Sequence, residues 1–355
     1  MPSIRTKTAL RTVLTSTAIL LGLTGIIPAN AQGTAAPGLS EPIDQVKLLA
    51  AAKKEGSLTW YTNVPAKDVP VLLAPFEKQT GLKVNVWRAN GDKLVQRVVT
   101  ENSAKRHDVD VINSGAAEVE ALHREKLLQP VRSPAARQLI AEATPAHAAW
   151  VGIYVNVWVQ AYNTNLLKKA DLPKTFADLL DPKWKGKLGI EATNSDWFYN
   201  VVLDMGEEKG LRFFQEMVSK NGVSVRRGSS LLNNMVVAGE VPFALTVFSK
   251  MPQAAKEGGA PIDWIILEPA LGTLNAVALA RNPPHPNAAR LFYEYLISEN
   301  AQKLMASMEY IPTHGQVPSS LKDVRFKTVD PVKSLDEQEK WEKAFDDTFV
   351  KRAAR

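Results

Sequence analysis

The 355-residue chain contains no cysteine. That one absence removes a disulfide scaffold, a thiolate zinc site and a cysteine nucleophile together. A chain without cross-links is held together by buried apolar surface. A hydrophobic content of 45% over this length suffices, and two domains suit the length better than one. A membrane-spanning run is also lacking. The main apolar stretch, residues 13–27, is about 15 residues long and rich in Thr and Gly, short of the ~20 a spanning helix needs. Single-sign charge blocks are missing too. Lysines and acids intersperse as on an ordinary solvated surface, and no helix concentrates arginine, so the formal charge of +6 implies no nucleic-acid partner.

Catalytic signatures are equally scarce. His107, His123, His147, His285 and His314 are scattered, with no HExxH-type pair. There is no Gly-x-Ser-x-Gly elbow, phosphate-cradling glycine loop or dinucleotide fingerprint. Glu118 and Glu120 lie two apart on an expected helix and so diverge. The expectation is a non-enzymatic protein with no catalytic residues, cofactor or metal.

What is present begins with export. Arg5, Lys7 and Arg11 precede the apolar run, and Pro28-Ala29-Asn30-Ala31 supplies small residues at a cleavage point. Residues 1–31 therefore read as a secretory signal peptide. No cysteine follows it to carry a lipid, so a free, soluble protein is expected; a monomer in the periplasm is the further expectation. The remainder carries a formal charge of only +3, because three of the cations belong to the leader.

Beyond the leader, helical and strand periods alternate. Helices are expected over 43–55, stopped by Gly56, over 67–80, stopped by Gly81, and over 93–105. Strands are expected at 57–61, 82–87 and 109–112. A long β-branched and aromatic stretch, residues 150–161, is able to cross between two domains. A second alternating set follows: strands at 188–190, 223–225 and 241–248, with helices at 197–205, 207–221 and 230–238. The apolar strand 275–280 returns, helices at 286–298 and 299–308 follow, and an amphipathic helix spans 335–355. This is an α/β fold of two lobes, each a mostly parallel sheet flanked by helices, joined by crossing hinge strands. Residues 40–150 with 270–320 make the first lobe, 151–269 the second, and 321–355 a C-terminal helical tail.

In open parallel sheets, ligands sit beyond the carboxyl ends of strands, where loops enter helices. Those loops hold Asn63, Arg88, Ser114 and Gly115 in the first lobe. In the second they hold Thr193, Asn194, Ser195, Ser229, Ser230, Ser249 and Lys250. Hydroxyls, amides and glycine at positive helix ends suit an anion, although Ser, Thr and Asn there also serve as plain helix caps. Lys250 follows an apolar strand. A buried ammonium needs a counter-charge, so it reaches solvent or meets an anion. Trp60, Tyr61, Trp87, Trp158 and Trp197 fit core or hinge packing better than a stacking platform.

Several segments resemble family 1 extracellular solute-binding proteins of ABC transporters. They are Gly56–Tyr61, Phe76–Gly81 with Lys83-Val84, Asp108–Val111, Ala161–Asn165, Asp181–Lys187 and His285–Ala289. The likeness runs in order along essentially the whole exported chain, nearest to the ferric-iron-binding periplasmic branch. It implies the type II periplasmic-binding fold, hinge closure on one small-molecule solute and delivery to an inner-membrane ABC permease. The resemblance also implies iron ligands, a His, a Glu and an adjacent Tyr pair. Their places hold Pro65, Gly115, Ser249 and Lys250 here, and no adjacent Tyr pair occurs anywhere. Ferric iron wants anionic oxygen donors. The branch's anion-supporting loops correspond to Thr193-Asn194-Ser195 and Ser229-Ser230, with Asp196 alongside the first. A metal-free organic anion, such as a carboxylate or phosphonate, is the expected solute. Ferric iron or a polyamine is the alternative within the class, and a periplasmic enzyme or sensor-linked binding protein the alternative outside it.

Overall fold

The computed structural model describes residues 44–321 and 323–351. The signal peptide expected over residues 1–31 lies outside them. Among the described residues no helix is long and apolar enough to cross a membrane.

The chain opens with α1 (Gln45–Glu55), β1 (Ser57–Thr62), α2 (Val69–Thr80), β2 (Lys83–Arg88), α3 (Gly91–Ser103), β3 (Val111–Gly115), α4 (Ala116–Arg124) and β4 (Leu128–Gln129). The long β5 (Val151–Asn163) leads to β6 (Leu188–Glu191), α5 (Ser195–Met205), α6 (Glu207–Asn221), β7 (Ser224–Arg226), α7 (Ser229–Ala238), β8 (Phe243–Phe248), α8 (Lys250–Glu257) and β9 (Ile262–Ile265). β10 (Leu271–Ala280) returns to α9 (Pro286–Ile297), α10 (Glu299–Ser307), β11 (Ile311–Pro312), β12 (Lys327–Thr328), α11 (Pro331–Asp336) and α12 (Gln338–Phe345).

One strand serves both lobes. Residues 151–157 of β5 pair antiparallel with β10 in the first sheet, which runs β2-β1-β3-β10-β5. Residues 158–163 pair with β8 and β9 in the second, which runs β5-β8-β6-β7. β1, β2 and β3 are mutually parallel, as are β8, β6 and β7. Twelve of the 13 residues of β5 are buried, which is why its sequence is a near-continuous apolar run and does not alternate.

Local chemistry moved several expected boundaries. β3 starts at Val111 and runs through Gly115, later than the expected 109–112. Asp110 is diverted: its carboxylate accepts the amides of Thr59 and His285, each at 2.7 Å, and meets His285 Nδ1 at 2.9 Å. β10 begins four residues before the expected Asn275, where β12 adds to its edge. α5 starts at Ser195, two residues early, and α2 starts at Val69, two residues late.

The C-terminal segment departs most. The expected single helix over 335–355 is broken at Glu337 into α11 and α12, and a wider π-type turn, Asp346–Val350, follows α12. Trp341, Phe345 and Phe349 recur every four residues and bury one face of this segment against Phe198, Tyr199 and Phe214 of the second lobe. α11 packs instead on α4 of the first lobe, where Arg124 meets Asp336 at 2.5 Å. The segment is thus part of the second lobe's core and touches both lobes.

Candidate functional site

The strand ends of the first lobe are knitted together by amides. Thr62 Oγ1 donates to Asn113 Oδ1 at 2.8 Å, and Asn113 Nδ2 donates to Asn275 Oδ1 at 2.5 Å. Asn275 Nδ2 donates to Asn63 Oδ1 at 3.0 Å, and Asn63 Nδ2 reaches Ser114 Oγ at 3.4 Å. Two of the expected site residues, Asn63 and Ser114, therefore share one network over β1, β3 and β10, which spends part of their hydrogen-bonding capacity internally. Gly115, one residue on, lies beneath the carboxylate of Glu118. A Cβ at Gly115 or at Gly91 would collide with that carboxylate, so a side chain at either position would displace Glu118 from where it lies.

In the second lobe an internal carboxylate occupies part of the expected anion loop. Glu191 is buried, and its Oε2 accepts the amide and the hydroxyl of Thr193, each at 2.7 Å, while Oε1 accepts the Gly228 amide at 2.8 Å. Thr193 is thus tied down and unavailable to a solute through those groups. Asn194 is different. It is the N-cap residue of α5 but makes no side-chain cap bond, is 6% exposed, and its Nδ2 has no hydrogen-bond partner. A buried amide donor without an acceptor is costly unless something supplies one. Ser195 opens α5, and Ser229 and Ser230 open α7, whose N-cap is Gly228, again without a side-chain cap.

The two lobes meet at Lys250. Ser249 and Lys250 stand where β8 turns into α8, and Lys250 Nζ reaches Asp68 Oδ2 of the first lobe at 2.5 Å, with the side chains 11% and 8% exposed. The same Oδ2 accepts the Tyr310 hydroxyl at 2.6 Å, and the ammonium sits 3.4 Å from the Tyr310 ring centroid. Asp68 is the N-cap residue of α2 but makes no side-chain cap bond, because its carboxylate is turned to Lys250 and Tyr310. Burial lowers the Lys250 ammonium from its ordinary value, and Asp68 opposes the shift. Burial also pushes the Tyr310 hydroxyl well up, assisted by Tyr154 and Asp68, so it remains a donor. The anion that Lys250 was expected to meet is therefore supplied by the chain itself. Arg88 closes the first-lobe side, its Nε donating to the Val64 carbonyl at 2.6 Å.

Acids line another part of the same divide. Burial raises the Glu118 carboxyl to about 7, with Asp196 of the second lobe and Asp92 adding to the shift. Asp196 is itself raised, chiefly by burial. Glu118 and Glu120 do diverge as their spacing requires: Glu118 turns to Gly91 and Gly115, while Glu120 accepts the Trp150 indole at 2.9 Å. Sequence reasoning missed Asp68, Tyr310, Glu191, Asn275 and the cleft role of Glu118. Only Asp68 carried a legible signal, as an acid before a helix that starts Val-Pro.

A family model described as bacterial extracellular solute-binding protein matches residues 72–327. An Fe(3+)-binding periplasmic protein of Serratia marcescens is 30% identical over 169 residues, 47% of this chain and 49% of its own, so that match spans about half of the relative. The major ferric iron-binding protein of Neisseria meningitidis is 25% identical over 279 residues, 74% of this chain and 82% of its own. Among solved structures, iron-bound HitA from Pseudomonas aeruginosa aligns with a TM-score of 0.71 at 21% identity, covering 81% of this chain and 99% of its own. AfuA from Actinobacillus pleuropneumoniae, solved with exogenous fructose-6-phosphate bound, aligns with a TM-score of 0.72 at 20% identity, covering 83% and 99%.

Proposed function

Because the chain belongs to the bacterial extracellular solute-binding protein family and has the type II periplasmic-binding fold, we propose that it is the periplasmic receptor of an ABC importer, and not an enzyme, and that it holds a small organic anion between its lobes without a metal. Closure on the solute presents the protein to an inner-membrane permease. The observation that carries the anion reading is Asn194 Nδ2, a buried donor left without an acceptor, while Lys250, at the place where the resemblance would put an iron ligand, is an ammonium matched by Asp68 and has no lone pair to give Fe(III). Its neighbours Asp68 and Tyr310 are already engaged with it and with each other. Asn194 Nδ2 and the uncapped starts of α5 and α7 are donors that a carboxylate or phosphate oxygen would satisfy. Arg88, Ser114, Ser195, Ser229, Ser230 and Ser249 flank that space in this reading. The fructose-6-phosphate found on AfuA shows that the fold accommodates an organic phosphate.

A second reading rests on Glu118, whose carboxyl is pushed up by burial and further by the charges of Asp196 and Asp92, so that a cationic solute there would find acidic partners. Ferric iron, named for the curated relatives, and polyamines both fall there. Thermal-shift screening of the purified protein separates the readings. A solute at 100 times its dissociation constant adds about 2.7 kcal/mol of stability. Organic acids and sugar phosphates should stabilise, with the response lost in Arg88→Ala. Stabilisation by Fe(III) or spermidine alone would overturn the anion reading.

A further inference from the structure

Outside the cleft, the fold assembles three metal-ligating side chains that are distant in sequence. Glu120 and His123 sit at i and i+3 on one face of α4. The segment entering β5 lays His147 over them, its ring stacked on that of His123 with centroids 4.0 Å apart and 17° between planes. His147 Nε2 lies 3.2 Å from Glu120 Oε2, and one ligating atom from each residue falls within 4.8 Å of the others. Glu120 is buried and oriented by the Trp150 indole N–H at 2.9 Å, the kind of outer contact that aims a ligating carboxylate. Ala148, next to His147, takes a left-handed φ of 53°, a conformation a non-glycine residue keeps only when its surroundings demand it.

We propose that Glu120, His123 and His147 bind one divalent first-row transition-metal ion of the zinc and copper(II) class, with a water completing the shell. One carboxylate and two imidazoles are the donor set such ions select over magnesium or calcium. Donors on a tetrahedral zinc ion at about 2.0–2.1 Å lie roughly 3.3–3.4 Å from one another, so separations that now reach up to 4.8 Å close by as much as about 1.4 Å on loading. Arg124, 3.6 Å from Glu120 Oε1, is turned to Asp336. In the metal-free state the Ala149 amide donates to His147 Nδ1 at 3.0 Å, so the ring proton is on Nε2 facing Glu120. Loading moves that proton to Nδ1, breaks the Ala149 contact and shifts the 145–149 turn. The metal would then pin the base of β5, the strand that crosses between the lobes.

Calorimetric titration of the full-length chain with zinc chloride tests the site. One zinc per chain is expected, with affinity reduced at least ten-fold in His123→Ala and His147→Ala and unchanged in His107→Ala, an exposed histidine outside the set. His123 lies half-exposed on a helix, so its variant should fold, and circular dichroism with chelator present checks this. Absence of stoichiometric zinc binding by the wild type, or equal binding by folded His123→Ala, would overturn the proposal.

Discussion

Replacing Lys250 with methionine tests the contact that joins the two lobes. Methionine keeps most of the apolar stem and deletes the charge that reaches Asp68 at 2.5 Å. Removing one partner of a buried pair costs about 3–5 kcal/mol, because the other charge is stranded. Asp68 has an escape that a core residue would not have. It lies on the opposite lobe, so parting the lobes returns its carboxylate to water, and the Tyr310 hydrogen bond stays with it on the first lobe. The penalty should therefore appear as opening and not as unfolding. At about 3 kcal/mol the open-to-closed ratio rises by roughly two decades. Asp68→Asn removes the stranded charge, so Asp68→Asn/Lys250→Met should recover much of the closure, with a coupling of at least about 1.5 kcal/mol in the cycle. The absence of cysteine makes the measurement clean: Ser103→Cys and Lys209→Cys supply the only two spin-label sites, one on each lobe. Distances from pulsed electron resonance should lengthen in Lys250→Met and shorten again in the double variant. Identical distributions in wild type and Lys250→Met, or a double variant as open as the single, would refute the argument.

Two further outcomes follow from buried groups. The Glu118 carboxyl is raised to about 7 by burial and by Asp196 and Asp92, so the folded protein binds that proton more tightly than the unfolded chain, where it titrates near 4.3. Stability is therefore lost as pH rises from about 4 to about 7 and is level above, and Glu118→Gln should gain about 1–3 kcal/mol at pH 8 and nearly nothing at pH 4. Melting temperatures across that range decide it, and a gain independent of pH would contradict the assignment. Trp341→Ala empties a fully buried site against Phe198 and Tyr199. It should cost about 3–5 kcal/mol in urea unfolding, whereas a C-terminal segment that was a mere appendage would lose almost nothing.

The alternation of strands and helices was legible because each element's period is a local property. Gly56 and Gly81 end helices where expected, with φ of 77° and 74°, because a left-handed cap is a demand on a single residue. Boundaries failed where a side chain was claimed from elsewhere, as with Asp110, whose carboxylate serves Thr59 and His285. The break at Glu337 escaped notice because the apolar spacing of Trp341, Phe345 and Phe349 continues past it.

The candidate site divides in the same way. That Lys250 needs a counter-charge follows from the cost of burying an ammonium, and the sequence alone determines it. That the counter-charge is Asp68, 182 positions away, is decided only when the crossing strand brings two lobes face to face. The same holds for Glu191 under Thr193, for Glu118 against Gly91 and Gly115 and for His147 over Glu120. The kinds of group at the strand ends were written in the sequence, since loop and cap preferences act within a few residues. Which of those groups are already satisfied, and which remain open to a solute, depends on contacts between distant segments, and such contacts exist only once the chain has folded.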